Sequence, residues 1–379
     1  MKSPKIIAEI GCNHKGDMAI AKEMIMTAAT YCKVDVVKFQ KRCNKELLTP
    51  EEYNAPHPHP ENSYGKTYGE HREFLEFNLD QHRQLQEWCK EFGVEYSTSV
   101  WDITSAKEIC TLHPNLIKVP SACNLNKGLL EYLCDNFGGE IHLSFGMTTR
   151  DEEEQIIQFF ESKSRNKDLV IYDCTSGYPV PFEDICLLEI TRLRELYADR
   201  VKAIGFSGHH LGIAVDSAAV ALGAEWIERH YTLDRTWKGT DHAASLEPDG
   251  VRKLARDCRA VAKALTYKKE DILDIEKVQR NKLKKKSSEM VIKKPCVMKV
   301  TKFTIKADKV FMLSCDCEEF TASAESGFKT WIMDYLEKQY PDKGVTIFTR
   351  YEHPVISAIA VIDINEGQEG DIEEINTKM

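Results

Sequence analysis

Residues 202–248 read KAIGFSGHHLGIAVDSAAVALGAEWIERHYTLDRTWKGTDHAASLEP. Two short apolar runs, 202–205 and 225–228, bracket an apolar helix-like segment, the signature of a strand–helix–strand unit. Just past the runs stand Ser207, His209, His210, Glu228, His230, Asp241 and His242, side-chain types that bind divalent metals and move protons. The stretch therefore reads as one wall of an active site.

The same alternation extends upstream. Further β-branched runs fall at 5–10, 35–39, 94–97, 116–119, 140–143 and 168–172, and helical patterns follow at 19–32, 81–92, 128–136, 152–162 and 187–196. Eight strand–helix units closed on themselves make a (β/α)8 TIM barrel of roughly 250 residues. The alternative is a doubly wound open sheet, but no G-x-G-x-x-G follows the first run, and eight units fit closure better. Each run ends in polar residues: Glu9 after the first, Lys38 and Gln40 at the second, Thr98 after the third, Lys118 and Ser121 at the fourth. Ser144 follows the fifth, Ser176 and Tyr178 the sixth, Ser207 and His209 the seventh, Glu228 and His230 the eighth. One such residue would be ordinary turn or cap chemistry. Polarity at the same end of all eight is the pattern of a barrel's catalytic face.

A long insertion, 41–80, separates the second and third runs. Its HPHP tract at 57–60 reads as an exposed loop, whereas Tyr64 to Arg72 mixes Lys66, Tyr68, His71 and Arg72 as a basic lid would. After residue 248 a helix is expected over 249–265. The barrel domain is then 1–268, a charged linker or helix 269–290, and a small α+β module 291–379. In the module, Lys-rich alternation precedes a helix at 328–339 and apolar runs at 345–349 and 355–364, and the polar tail 366–379 is expected to fray.

The 51 Lys and Arg against 60 Asp and Glu leave a net charge of −9, which argues against a nucleic-acid binder. No 18-residue apolar run predicts a membrane helix, and the N-terminus turns polar too soon for a signal peptide. The 13 scattered cysteines contain no C-x-x-C pair and read as reduced, mostly buried thiols of a cytoplasmic protein.

Lys38 and Lys118 end strands two apart, so both can face the barrel mouth. With Thr98, Ser121, Ser144 and Ser207 they form a ring of cations and hydroxyls suited to a phosphate and a carboxylate held together. The alternatives are a Schiff-base lysine, disfavoured by the number of hydroxyls around it, and a structural lysine paired to Glu9 or Asp173. His209 and His230 end adjacent strands and can converge on one ion. Two imidazoles with open coordination positions suit a catalytic Lewis acid, Mn²⁺, Mg²⁺, Co²⁺ or Zn²⁺.

Taken together, IIAEIGCNHKGD, VVKFQK, SYGKTYGEHREFLEF, YSTS, KVPSACN, LSFGM, CTSGYPVPFED, the 202–248 stretch and RNKLKKKS resemble the sialic acid synthase family over about three quarters of the chain. WKGTDHAASLEP and GKTYGEHR are most similar to its animal-like branch. The resemblance implies a barrel enzyme, a homodimer, that condenses phosphoenolpyruvate with N-acetylmannosamine, its 6-phosphate or mannose 6-phosphate, giving a nonulosonic acid or its 9-phosphate. Legionaminic or pseudaminic acid synthesis is the alternative, and a non-catalytic sugar-binding barrel a remote one.

On the matching positions, Lys38, Thr98, Lys118, Ser121, Ser144, Ser176 and Ser207 would hold phosphoenolpyruvate. His209 and His230 would bind the metal, Mn²⁺ before Mg²⁺ or Co²⁺. Gln40, Tyr178, Glu228 and Asp241 would hold the sugar, and Glu9 would position its aldehyde or a metal-bound water. Lys66, His71 and Arg72 are candidate contacts for a second phosphate. The chain departs from the family pattern at Cys123, where many members carry an acidic residue, and at Gly208, where some carry Asp. Beyond residue 291 it has no recognisable antifreeze-like domain, which in the family lends an arginine to the partner's site.

Overall fold

The computed structural model describes residues 2–284, 297–305, 308–316, 322–341, 345–352, 355–363 and 373–378. The chain divides into two compact units, Met1–Asp271 and Ile272–Met379.

The first unit is a closed parallel barrel in which each strand pairs with its neighbours in chain order. Its strands are β1 (Lys5–Gly11), β2 (Val36–Lys41), β3 (Glu95–Val100), β4 (Leu116–Val119), β5 (Glu140–Ser144), β6 (Leu169–Asp173), β7 (Ala203–Gly208) and β8 (Trp226–His230). β8 closes the ring on β1, with Glu9 opposite His230. Eight helices follow the strands in turn: α1 (Met18–Thr27), α2 (Leu79–Phe92), α3 (Ile103–Cys110), α4 (Lys127–Asn136), α5 (Arg150–Ser162), α6 (Glu189–Tyr197), α7 (Ala214–Ala221) and α8 (Pro248–Ala264). The (β/α)8 reading stands.

Side chains alternate along a strand, so each one offers the barrel interior every second residue. The lower layer is apolar: Ile7, Val36, Leu116, Val170, Tyr172, Ala203 and Trp226 pack together. Tyr172 fits because Gly205 opposes it; a Cβ on Gly205 would lie 2.6 Å from the Tyr172 ring. Two residues further along the same strands, or four in β7, the interior turns polar, with Glu9, Lys38, Lys118, Ser207 and Glu228, all buried. The intervening residues face the helices, where Ile6, Ala8, Val37, Phe39, Tyr96 and Ile227 join the main outer core.

The insertion is folded rather than open. Short helices span Asn44–Leu47, Pro50–Asn54 and Tyr68–Phe74. The last two start on reciprocal caps, Thr49 with Glu52 and Thr67 with Glu70, each satisfying two end N–H groups. The Tyr64 hydroxyl donates to the Lys238 carbonyl at 2.5 Å, tying the insertion to the segment after β8.

In the second unit a helix, Asp274–Leu283, carries no buried residue, as a solvated charged segment should. The remainder of the expected linker, 285–290, lies outside the described residues. A five-stranded antiparallel sheet follows, built of β9 (Val297–Ile305), β10 (Asp308–Asp316), β11 (Val345–Glu352), β12 (Val355–Asp363) and β13 (Glu373–Lys378). Its strand order is β11-β12-β10-β9-β13. Phe328, Ile332 and Leu336 of the helix Ala322–Gln339 pack on Ile356, Ala358, Ala360 and Ile362, alternate residues of β12. The expected fraying of the tail is corrected for 373–378, which pair with β9 over six residues. Among the described residues no helix is long and apolar enough to cross a membrane.

Candidate active site

The polar layer opens into a cavity of about 440 Å³ at the C-terminal end of the strands, lined by residues from every strand of the barrel or the loop after it. Two lysines and two glutamates form its floor. Lys38 Nζ pairs with Glu9 Oε2, donates to Ser99 Oγ at 2.8 Å and lies 3.5 Å from Glu228 Oε1. Lys118 Nζ reaches Glu228 Oε2 at 2.9 Å and sits 3.7 Å from the centre of the Tyr172 ring. Ser207 Oγ donates to Glu228 Oε1 at 3.2 Å. The structural pairing of Lys38 to Glu9 thus exists, but inside the site. Asp173 pairs with neither lysine.

Burial sets the protonation of this group against its charges. It pushes the Glu9 carboxyl up to about 7 despite Lys38. Burial also opposes charge on Glu228, yet Lys118 and Lys38 outweigh it and hold that carboxyl well below the usual range. Lys38 is raised, because Glu228 and Glu9 overcome its burial, whereas burial prevails at Lys118 and lowers it. An anion entering here would replace Glu228 as the partner of both ammonium groups.

Hydroxyls gather beside the lysines. A Cβ on Gly146 would fall 2.4 Å from Ser176 Oγ and 2.6 Å from Ser121 Oγ, so both hydroxyls crowd a backbone that only glycine leaves open. Ser121, Ser144, Ser176 and Ser207 all line the cavity. Thr98 does not, and this corrects the sequence reading. Thr98 has the parity of Tyr96 and Val100, whose side chains belong to the helix-facing cores. Ser99, one residue on, lines the cavity and accepts from Lys38. Thr98→Val is therefore expected to leave the affinity of the lysine pair for a phosphate-bearing anion within about twofold, while Ser99→Ala, which strips Lys38 of a buried acceptor, weakens it roughly three- to tenfold. Calorimetric titration with such an anion decides between the two positions.

His209 and His230 stand with ring centroids 5.3 Å apart, and the Tyr178 ring packs edgewise on both, at 4.5 and 5.8 Å. His209 Nδ1 lies 3.2 Å from the Thr175 carbonyl, which places its proton there and leaves a lone pair on Nε2. Among the described residues His230 Nδ1 is buried without a partner. Burial pushes His209 down to about 3, with His230 adding to it, and burial also lowers His230. Two neutral imidazoles with free lone pairs fit a divalent cation. Among the described residues no cluster of three or more His, Cys, Asp or Glu side chains is arranged to hold a metal ion.

Gln40, Tyr178 and Asp241 line the cavity as expected for the sugar side. Glu228, also expected there, lines the cavity as well and is bonded to Lys118 and Ser207. His71 and Arg72 reach the cavity from the insertion helix, but Lys66 is exposed and does not line it. Lys66 precedes the helix, and its backbone N–H serves Glu70 at 2.7 Å. Sequence reasoning missed Cys12, Arg42, Ser99 and Trp101, all of which line the cavity. Strand parity would have found Ser99; the others each lie one residue past a strand, where parity no longer holds.

A model of the NeuB family matches residues 24–270. The chain belongs to the NeuB family. It is 40% identical over 285 residues to the N-acetylneuraminate-9-phosphate synthase of Homo sapiens, covering 74% of this chain and 76% of that protein. It is 31% identical to the N,N'-diacetyllegionaminic acid synthase of Campylobacter jejuni, over 70% of this chain and 78% of that one. A crystal structure of the N-acetylneuraminic acid (sialic acid) synthetase of Leptospira borgpetersenii, in complex with citrate, superposes with a TM-score of 0.63 at 29% identity, covering 75% of this chain and 94% of that chain.

Within this NeuB-family barrel the departures at Cys123 and Gly208 have local explanations. Cys123 Sγ is buried against the Trp101 carbonyl at 3.1 Å and does not line the cavity. A Cβ at Gly208 would meet the Phe206 ring at 2.7 Å and His210 Cε1 at 2.9 Å. His210 is structural, held beside Asp216 and Arg229 in the buried layer behind the site. His242 likewise bonds Thr232 Oγ1 at 2.7 Å.

Proposed function

We propose that the protein condenses phosphoenolpyruvate with an N-acetylmannosamine-type sugar and releases phosphate, giving a nonulosonic acid. The observation that carries this reading is one cavity holding two buried lysines, a cluster of serine hydroxyls over Gly146, and two neutral imidazoles. Higher identity to N-acetylneuraminate-9-phosphate synthases than to the legionaminic acid synthase supports the N-acetylmannosamine-type acceptor.

Lys38, Lys118 and the hydroxyls of Ser121, Ser144, Ser176 and Ser207 hold the phosphate and carboxylate of phosphoenolpyruvate, displacing Glu228 from its bridging position. Gln40, Tyr178 and Asp241 orient the open-chain sugar. The C2=C3 π pair of phosphoenolpyruvate forms the bond from C3 to the aldehyde carbon, leaving C2 electron-deficient, and the aldehyde oxygen takes a proton from water. Water then adds at C2, and a Glu9 carboxylate oxygen accepts its proton, a task suited to a carboxyl that burial holds near neutrality. The C2–O bond to phosphate then breaks with its electron pair on the leaving phosphate, whose charge the two lysines stabilise, while the new C2 hydroxyl loses its proton to that phosphate and forms the C2 ketone. His209 and His230 would hold a divalent metal, Mn²⁺ before Mg²⁺ or Co²⁺, which when bound supplies Lewis-acid polarisation of the aldehyde.

Phosphate release should require both substrates, fall away after EDTA treatment and return with Mn²⁺. His209→Ala should lose bound metal, measured by elemental analysis, together with turnover. A His209→Ala protein that turns over normally without metal sinks the metal assignment. Wild-type protein that releases no phosphate with any mannose-type sugar sinks the function.

A further inference from the structure

A second cavity of about 440 Å³ is lined by β6, α5, α6 and the loops after β5 and β6. It shares Met147, Cys174 and Ser176 with the barrel mouth and otherwise has its own walls. Asp173, the last residue of β6, lies in its lining. This side chain has the parity of Leu169 and Ile171, which belong to the helix-facing core, so it points away from the lysine ring. Phe145 and Leu193, both buried, give the cavity an apolar side.

The charges here do not balance. Both carboxylate oxygens of Glu153, on α5, accept from Arg192 Nη2 at 2.9 Å, and Arg192 Nε donates to Glu189, on the same helix α6. Glu189 also lies 3.6 Å from the exposed Arg150. Three carboxylates therefore face two guanidinium groups, and Asp173 is the one left over. It is 7% exposed, the Cys174 N–H serves it, and among the described residues its Oδ2 has no partner. Burial, with Glu189 adding to it, pushes this carboxyl up to about 7 although Arg192 pulls the other way. A buried carboxylate without a counter-ion is costly, and a cation entering the cavity removes that cost.

The donor set narrows the cation. Among the described residues no group of three or more His, Cys, Asp or Glu side chains is arranged to hold a metal ion. The nearby hydroxyls are engaged: Thr148 donates to the Gly146 carbonyl at 3.0 Å and Thr175 to the Asp184 carbonyl at 2.9 Å. A primary ammonium group brings both the missing charge and three donors, and a carbon chain behind it matches the apolar side. We propose that this cavity binds a small organic ammonium ion, which donates to Asp173 Oδ2 and lays its short carbon chain against Phe145 and Leu193. The site is independent of the condensation reading, in which Asp173, Glu153 and Glu189 take no part.

The test titrates n-butylammonium chloride, and 1-butanol as its neutral counterpart, calorimetrically into the full-length protein. At pH 8 butylammonium should bind wild type about tenfold or more tighter than butanol, and should lose roughly 10- to 100-fold in Asp173→Asn, the loss of one charged hydrogen bond. Asp241→Asn, in the barrel mouth, should leave butylammonium affinity within about twofold. From pH 6 to pH 8 the amine stays protonated while Asp173 ionises, so wild-type affinity should rise about tenfold and that of Asp173→Asn should stay flat. Glu153 of α5 and Glu189 and Arg192 of α6 also face Asp173 and are kept in Asp173→Asn, so a slope that persists there comes from them and rejects Asp173 as the partner. Cys186, an exposed free thiol in the cavity lining, reports occupancy at the site itself. Saturating butylammonium should slow its alkylation by iodoacetamide roughly threefold or more, read by peptide mass spectrometry, and butanol should not. Equal affinity for amine and alcohol overturns the proposal, as does binding lost in Asp241→Asn instead of Asp173→Asn. An unprotected Cys186 in wild type also overturns it, and that measurement decides even where Asp173→Asn does not fold.

Discussion

Lys118→Met is expected to lower kcat/KM for phosphoenolpyruvate by about 10²–10³-fold, the usual loss when one preorganised donor to a developing charge is removed. Lys118 is buried, pairs with Glu228 at 2.9 Å and lies over Tyr172, so methionine fills its volume while deleting the charge. The same change strands Glu228, whose remaining cation, Lys38, is 3.5 Å away. Breaking a buried pair on one side costs about 3–5 kcal/mol, and the surviving lysine argues for the lower end. The two effects separate in the double variant Lys118→Met, Glu228→Gln. Removing both charges should restore much of the melting temperature but none of the phosphoenolpyruvate affinity. A double variant that recovers activity would show that Lys118 serves only to neutralise Glu228, and that the phosphate is held elsewhere. If Lys118 worked as a Schiff-base nucleophile, borohydride treatment with substrate would trap a covalent adduct. Its short contact with Glu228 predicts that none forms.

Much of the fold was legible because the barrel imposes two periods at once. Runs of four to six β-branched residues followed by helical patterns fixed strand number and order, and strand ends fixed the catalytic face. The residues read most securely, Glu9, Lys38, Lys118, Ser207 and Glu228, share one parity with the apolar layer beneath them. Thr98 failed on that criterion. YSTS carries a hydroxyl at all four positions, and only strand parity, anchored by the pairing of β3 with its neighbours, decides which face inward. Helix α3 was missed because it is short, although Asp102 caps it by accepting from Ser105 N–H at 2.7 Å, a signal present in DITS. The grouping of Arg42, Arg72 and Trp101 was hidden for a different reason. Arg42 directly follows β2, Trp101 directly follows β3 and Arg72 lies on the insertion helix Tyr68–Phe74, and their meeting depends on the folded insertion, whose path no local pattern specifies. The charge of Glu9 was equally out of reach, since it follows from burial and not from neighbours in sequence.

Gly146→Ala tests the hydroxyl cluster without touching a charge. The added methyl carbon would meet Ser176 Oγ at 2.4 Å and Ser121 Oγ at 2.6 Å, closer than real contacts allow, so both serines must move. Gly146 does not adopt the left-handed backbone, hence alanine fits its conformation and the barrel should fold. The displaced atoms are the short hydroxyl arms that would grip phosphoenolpyruvate, and a misplacement of about 1 Å in such a site can cost about 10²-fold. The expected result is a KM for phosphoenolpyruvate raised by about that factor, with the melting temperature little changed and acceptor KM nearly intact. Gly138→Ala is the control, since nothing lies within 4 Å of a Cβ there. If Gly146→Ala binds phosphoenolpyruvate as tightly as Gly138→Ala does, then Ser121 and Ser176 do not hold it. The lysines would then carry the anion with Ser144 and Ser207 alone. A rise in acceptor KM instead would move the serine cluster to the sugar side of the cavity.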